Sequence, residues 1–419
     1  MNLQERSDLV LEFARVLFAN GQSTEKTLTA AGAVAGSLGL RAELLPRWGI
    51  LQLTAWDKSD ESEKLASVIE ASPAGVDMDR VAAAMRAAQA VAEGSLAPGA
   101  AKKALHAIAV APPAPTWLFV LAAGAGAAAL AVIFGVEHLT AVELIFLSAA
   151  GGALLRRWIA GRSQNAFVQP FIASLLAGVI GGIAVRMQLS SSLRLVAVCP
   201  CMVLVPGPAV LNGALDLVKG RIHLGAARLI FAAMLIAAIS AGLLLGLALL
   251  GVSLPVDQAG REVPLWFDVI AAVIAVAAYG IFFSMPAQMF AWPVCVGMTA
   301  HALRWWTITR WGASAEAGAF VACLVVGLIE TPVSRRLHMP FAAIGFASVV
   351  SMIPGVYLFR MASGLEQIGR GVDVSQPLIN GTISDGITAL VIVLAMSFGL
   401  IFPKLVVDGI EDKLSAQEE

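Results

Sequence analysis

The sequence predicts a polytopic α-helical membrane protein: about ten transmembrane helices in two five-helix, inverted repeats, preceded by a small α+β cytoplasmic domain. Three observations predict it. Of 419 residues, 58% are apolar and 14% charged, with a mean hydropathy of +0.81; soluble chains run at roughly 45–50% apolar and about 25% charged. Much of the charge falls in about the first 110 residues, and the rest is a series of apolar runs near the ~20 residues a bilayer-spanning helix needs. Two runs are interrupted by helix-breaking pairs, Pro206-Gly207 (followed by Pro208) and Pro354-Gly355, 148 positions apart.

The segment 1–110 reads as the cytoplasmic domain. Its opening is charged and lacks the basic and apolar regions of a signal peptide. Leu9, Val10, Phe13, Val16 and Leu17 repeat at helical spacing over 7–19, and Asn20-Gly21 supplies a stop. Ser23-Thr24-Glu25 looks like a cap with an acidic first turn, opening a helix that ends near Leu38-Gly39. Residues 42–46 and 48–54 read as two short strands, with Pro46 placing the first at an edge. A charged turn over 57–64 leads to helices over 79–93 and 98–108.

The Pro-rich stretch 111–115 is a stiff linker. Ten spans follow, at 116–135, 139–155, 166–185, 193–211, 226–253, 266–283, 287–303, 313–331, 340–359 and 384–403, with Ser284-Met-Pro286 either a turn or a kink. The offset of 148 that relates the two breaks also maps the apolar run before one onto the run before the other. The chain therefore divides into a first membrane repeat, 116–259, a second, 260–405, and an acidic tail, 406–419. Five spans per half put the copies in opposite orientations, as in many secondary transporters, with Pro206-Gly207 toward the cytoplasmic side and Pro354-Gly355 toward the other. Lys102, Lys103, Lys219, Lys404 and Lys413 fall inside if the N-terminus does, whereas the arginines, Arg261 among them, divide evenly. Lysine bias thus places both termini in the cytoplasm.

The breaks are candidate sites for a physical reason. Pro206 and Pro208 have no N–H, so the carbonyls of Met202 and Leu204 lose their helical partners. Irregular backbone at membrane depth is buried in protein or lines a wet cavity. A helix starting at Gly207-Pro208 is also weakly positive at its first turn. Asn212 and Asp216, four apart, share one helix face; an amide and a carboxylate there suit an ammonium, the helix start suits a carboxylate, and a zwitterionic amino acid fits both. The alternative is that Asp216 is solvated in a loop with Lys219. In the second copy Arg360 stands in the place of Asn212 and Gly364 in that of Asp216. The substrate-binding candidates are Pro206, Gly207, Asn212, Asp216, Pro354, Gly355 and Arg360. An ionisable side chain inside a bilayer is costly enough to be a functional candidate by default, which makes Asp216, Glu143, Glu330 and Asp385 the proton-coupling candidates; Gln288, His301 and Glu316 also fall in or near spans.

Other chemistry is poorly represented. Cys199, Cys201, Cys295 and Cys323 lie in apolar runs without nearby ligands, the five histidines are scattered, and no HExxH, GxSxG or GxxxxGK[ST] occurs. No cofactor and no metal are expected. No basic patch with interleaved aromatics points to nucleic acid. Gly178/Gly182 and Gly242/Gly246 have the spacing of close helix packing.

These residues resemble the threonine/serine exporter family of bacterial inner-membrane transporters over nearly the whole chain. The resemblance is carried by Gly21-x-x-Thr24-Glu25 with Leu38-Gly39, by the run Pro206-Gly207, Asn212, Asp216, Gly220, Gly225 and Arg228, and by Pro340 and Pro354-Gly355. Pro208 and Arg360 depart from the pattern. The resemblance implies a secondary transporter, not an enzyme, that exports threonine, serine or similar small amino acids by antiport against protons across the inner membrane. Its expected partners are the amino acid, protons and the lipid bilayer, with a homo-oligomer left open. A membrane-anchored enzyme with catalysis in the N-terminal domain, and a channel for small solutes, are the alternatives. Against the enzyme, the N-terminal domain has no recognisable nucleophile–base motif, and ten spans exceed what an anchor needs.

Overall fold

The computed structural model describes residues 1–59, 64–136, 138–189, 194–255, 263–371 and 374–418. Residues 60–63 of the expected turn, Arg261 and the side chain of Lys413 lie outside the described residues.

Helix α1 (Leu3–Ala19) starts earlier than its apolar period indicates, because Asn2 caps it. The Asn2 side chain accepts from the Glu5 N–H, and the Glu5 carboxylate accepts from the Asn2 N–H. Helix α2 (Thr24–Ser37) is capped by Ser23, whose side chain accepts from the Lys26 N–H. Strands β1 (Leu40–Arg47), β2 (Gly49–Asp57) and β3 (Lys64–Ala71) form an antiparallel sheet in the order β1-β2-β3. Pro46 accordingly lies on an edge strand, where its missing N–H is tolerated. The third strand is absent from the sequence reading: none of its residues before Ala71 is fully buried, so its alternation carries little apolar contrast. Leu51, Leu53 and Ala55 of β2 are buried with Leu17, Phe18 and Val34 of α1 and α2. Helices α3 (Met78–Ala92) and α4 (Pro98–Val110) complete this region.

The apolar part is helical throughout its described residues. Its elements are α5 (Thr116–Ile133), α6 (Leu139–Ala160), α7 (Val168–Arg186), α8 (Leu195–Met202), α9 (Gly207–Val218), α10 (Ile222–Ala248), α11 (Leu265–Phe282), α12 (Ala291–Trp311), α13 (Ala315–Arg336), α14 (Phe341–Val349), α15 (Gly355–Arg370) and α16 (Gln376–Glu418). Among the described residues, seven helices are long and apolar enough to cross a membrane, or nine if the bent pairs α8/α9 and α14/α15 each count as one span. Of the ten expected spans, the one at 287–303 is not in that set. Its helix, α12, starts later and carries His301, Arg304, Trp305, Trp306 and Arg310, which lower its hydropathy. Helix α16 runs on through the boundary expected at 405/406.

Ser284-Met-Pro286 is a turn rather than a kink, with Ser284 at φ 55°. Its carbonyl and that of Phe283 accept the N–H groups of Asp79 and Met78, the first two residues of α3. The N-terminal elements thus seat on the bundle through backbone as well as side chains, and Met78 and Ala82 belong to the bundle's apolar core. The expected small-residue contact is present between α7 and α10: a Cβ on Gly178 would lie 2.3 Å from the Leu243 carbonyl oxygen, and one on Gly246 would lie 2.4 Å from that of Leu175.

Candidate functional site

The two breaks share one backbone geometry. Pro206 has φ −82° and ψ 59°, and the Gly207 N–H donates to the Val205 carbonyl at 2.9 Å; Pro354 has φ −76° and ψ 38°, and the Gly355 N–H donates to that of Ile353 at 2.8 Å. Each is a three-residue turn between helices that diverge by 52° and 67°. The orphaned Met202 carbonyl accepts from the Tyr279 hydroxyl at 3.2 Å and from the Val205 N–H at 3.3 Å. The Met202 carbonyl is thus satisfied inside protein.

The bent spans cross at these turns. A Cβ on Gly207 would lie 1.4 Å from Cε2 of Phe346 on α14, and a Cβ on Gly355 would lie 2.7 Å from Cγ of Met202 on α8. Between them is a cavity of about 60 Å³ lined by residues that include Gly207, Leu211, Phe346, Pro354, Met396 and Leu400. Gly207 and Pro354 line one cavity because the bent helices cross there.

Glu330 of α13 is fully buried beside this crossing. One carboxylate oxygen accepts from the Ser348 hydroxyl of α14, and the other has no hydrogen-bond partner. That second oxygen faces Gly345, whose other near neighbours are Leu400 and Leu211 of the cavity wall. No ion pair to Glu330 exists among the described residues. A buried carboxylate with one free oxygen and no cation beside it is suited to take up and release a proton.

Asn212 and Asp216 do share a face of α9, but it faces α1 and α2 rather than the cavity. The Asn212 amide donates to the Gly21 carbonyl at 3.2 Å, and the Thr24 hydroxyl donates to Asp216 at 3.0 Å. Arg228 of α10, 1% exposed, pairs with Asp216 at 3.0 Å and lies over the Phe18 ring, while Arg221 stands 3.5 Å away. Lys219 pairs with Glu25 at 3.2 Å instead of with Asp216. Asp216 is therefore neither solvated nor at the cavity. Removing one partner of a buried pair costs about 3–5 kcal/mol because the other charge is left uncompensated. Asp216→Asn is expected to lower the unfolding free energy of the purified protein by about that much. A loss under about 1 kcal/mol, the range of a surface pair, would show the pair to be solvated.

The second half carries a charge-swapped counterpart. Arg360 of α15 pairs with Asp385 of α16 at 3.0 Å, both buried; in the first half the carboxylate is on the bent span and the arginine on the next helix. Glu143 is exposed on α6 and does not line the cavity. Gln288 is exposed and Glu316 half-buried.

One constellation escaped the sequence reading. Asp268 of α11 accepts from Nδ1–H of His301 at 2.8 Å, and His301 Nε2 hydrogen-bonds the Ser351 hydroxyl, in the turn that ends α14. All three are buried. The order carboxylate–imidazole–hydroxyl is that of a hydrolase triad, yet His301 is 0% exposed; the chain ties α11 and α12 to the second break. Its members come from three separate helices, and no local spacing signals them.

No solved structure matches the chain. The family model for the threonine/serine exporter matches residues 8–250, covering the N-terminal elements through α10, and a second threonine/serine exporter model, ThrE, matches residues 268–406, from α11 into α16. Together they take in both breaks, the Asp216–Arg228 pair and Glu330, and the chain belongs to the threonine/serine exporter family.

Proposed function

We propose that the chain is a secondary transporter that exports threonine, serine or similar small amino acids across the inner membrane by antiport against protons. The observation that carries this reading is the crossing of the two bent spans around a small cavity, with the Glu330 carboxylate buried beside it. Broken helices meeting at a shared site are the usual construction for alternating access. The apolar lining suits the aliphatic part of a small amino acid, and the turns at Pro206-Gly207 and Pro354-Gly355 are the hinges. In this reading the cavity opens to one side at a time. In this reading Glu330 carries the proton, Asp216–Arg228 and Arg360–Asp385 hold the bent spans to their neighbours, and Glu143 has no part.

The proposed topology is ten spans with α12 as the tenth, both termini cytoplasmic, and inverted repeats at 116–259 and 260–405. The unit 1–110, the linker 111–115 and the tail 406–419 would be cytoplasmic. Three features support it. Helices α5 to α10 and α11 to α16 run in the same order, three helices, a bent pair and a last helix. The contacts between halves are reciprocal, α8 with α15 and α9 with α14. The ends of α9 and α11 both meet the N-terminal elements.

The test is efflux from cells loaded with a threonine-containing dipeptide: expression should raise threonine and serine efflux, and an uncoupler should abolish the increase. Efflux that continues unchanged after the proton gradient collapses would indicate a channel. Turnover of small esters or peptides by the purified chain, without efflux, would indicate an enzyme.

A further inference from the structure

A second cavity, small (about 10 Å³), meets the first break from another side. It is enclosed by α5, α6, α7, α8 and α11, and its lining includes Ser148, Arg156, Pro200, Val203, Leu204 and Phe282, with alanines and a glycine between them. Val203 and Leu204 face this cavity, whereas Val205 and Gly207 face the one at the crossing. Two polar groups in its wall lack partners. Nε and Nη1 of Arg156 are buried and make no hydrogen bond. No carboxylate answers the charge: the ionisable side chains that influence it are Arg157, another cation, and Tyr279. The guanidinium instead lies against two rings, 5.1 Å from the centre of Phe282 and 5.9 Å from that of Phe119, contacts that leave its N–H groups unused. Ser148, 1% exposed, is the second group. A helical serine ordinarily turns its hydroxyl back onto a carbonyl three or four residues earlier, as Ser174 does to Phe171 at 2.9 Å; the Ser148 hydroxyl has no partner. Ser148, Gly152 and Arg156 follow one another at four-residue spacing along one face of α6. Helical side chains lean toward the N-terminus, so Arg156 reaches back toward Ser148 over the glycine. A buried cation and a buried hydroxyl without partners are both costly, and one ligand between them would satisfy both.

We infer that Arg156 and Ser148 form a binding site for a small carboxylate, held by the guanidinium and by the Ser148 hydroxyl as donors. Arginine suits the role because its planar fork of N–H groups matches the two oxygens of a carboxylate. In the proposed exporter the carboxylate is that of the amino acid, and the choice of threonine as probe rests on that reading. Arg157, the next residue, donates to the Ala114 carbonyl of the linker at 3.0 Å, so the site lies at the linker end of the bundle, where an exported solute enters in the proposed topology. Entry of a carboxylate widens the cavity at Val203-Leu204, the irregular part of its wall, and occupation is thereby felt at the break. Tyr279 adds a second link, since it neighbours Arg156 and its hydroxyl donates to the Met202 carbonyl. The phosphate of an anionic lipid headgroup has related chemistry, and the test separates the two.

The experiment is calorimetric titration of the purified full-length protein in neutral detergent with threonine, with its amino alcohol (the same skeleton without the carboxylate), and with a short-chain phosphatidylglycerol. Threonine should bind and the amino alcohol should not. Ser148→Ala should raise the threonine dissociation constant about tenfold, the scale of one hydrogen bond to a charged group. It should not lower the melting temperature, because the hydroxyl it removes has no partner. Arg156→Gln should raise the dissociation constant at least about thirtyfold, and Arg156→Lys, which keeps the charge but not the fork, should restore only part of the loss. If Arg156→Gln does not fold, Ser148→Ala alone decides. Threonine binding indifferent to both substitutions, equal binding of threonine and its amino alcohol, or binding of phosphatidylglycerol alone would each overturn the site. No gradient enters the measurement. Threonine binding weakened in Ser148→Ala but with no wild-type transport would sink the export reading and leave the site standing; normal transport with binding indifferent to Arg156 and Ser148 would do the reverse.

Discussion

Gly207→Ala is expected to reduce threonine export to background and to destabilise the purified protein. The added Cβ would lie 1.4, 1.9 and 2.0 Å from three atoms of the Phe346 ring. That ring has little freedom to move: it is 5% exposed and packed against Tyr279 and Phe283, with ring centroids 6.2 and 6.3 Å away. Overpacking of this kind costs about 1–3 kcal/mol, and it falls where the bent spans cross. Gly355→Ala makes a useful contrast, since its Cβ would meet the flexible Met202 side chain at 2.7 Å, which can adapt; its effect should be clearly smaller. The cause is tested by Phe346→Ala, which removes the offending ring atoms. In that background Gly207→Ala should cost almost nothing further, although Phe346→Ala alone opens a cavity worth about 3–5 kcal/mol. Near-normal export by Gly207→Ala, or full additivity of the two substitutions, would show that the crossing is not the working part.

Glu330→Gln is expected to uncouple transport. Glutamine keeps the size of the side chain and its hydrogen bond to Ser348 but neither binds nor releases a proton. Coupling between two ligands through one protein is typically about 1–3 kcal/mol, or roughly 5–150-fold. Threonine flux driven by a pH gradient should fall by a factor in that range, while threonine–threonine exchange, which moves no net proton, should remain within about threefold of wild type. Gradient-driven flux unchanged in Glu330→Gln would shift the proton to Asp385 or Asp216, and both of those are already held by arginines.

The breaks were legible in the sequence because proline without an N–H inside an apolar run has few structural explanations. The shared face of Asn212 and Asp216 was legible from their spacing. What that face meets was not: Gly21 and Thr24 lie about 190 positions away, and an amide and a carboxylate look the same whether they await a ligand or another domain. Glu330 could be named as a candidate but not preferred over Glu143 and Asp385, since burial sets aside Glu143 and the Arg360 pair sets aside Asp385, and both are properties of the assembled bundle. Strand β3 lacked apolar contrast, and the Asp268–His301–Ser351 chain exists only once three helices are packed. In α12, arginine, histidine and tryptophan weaken the signal of a span even though the helix packs against α11, α13 and α14.

Proton-coupled antiport is tested most directly with purified protein in sealed proteoliposomes, with labelled threonine on both sides and a pH gradient imposed across the membrane. Net threonine movement is expected opposite to the proton flow, against its own gradient, reversing when the pH gradient is reversed. Threonine flux of the same size and direction with and without the gradient, or no threonine flux from protein that is folded and correctly inserted, would contradict it.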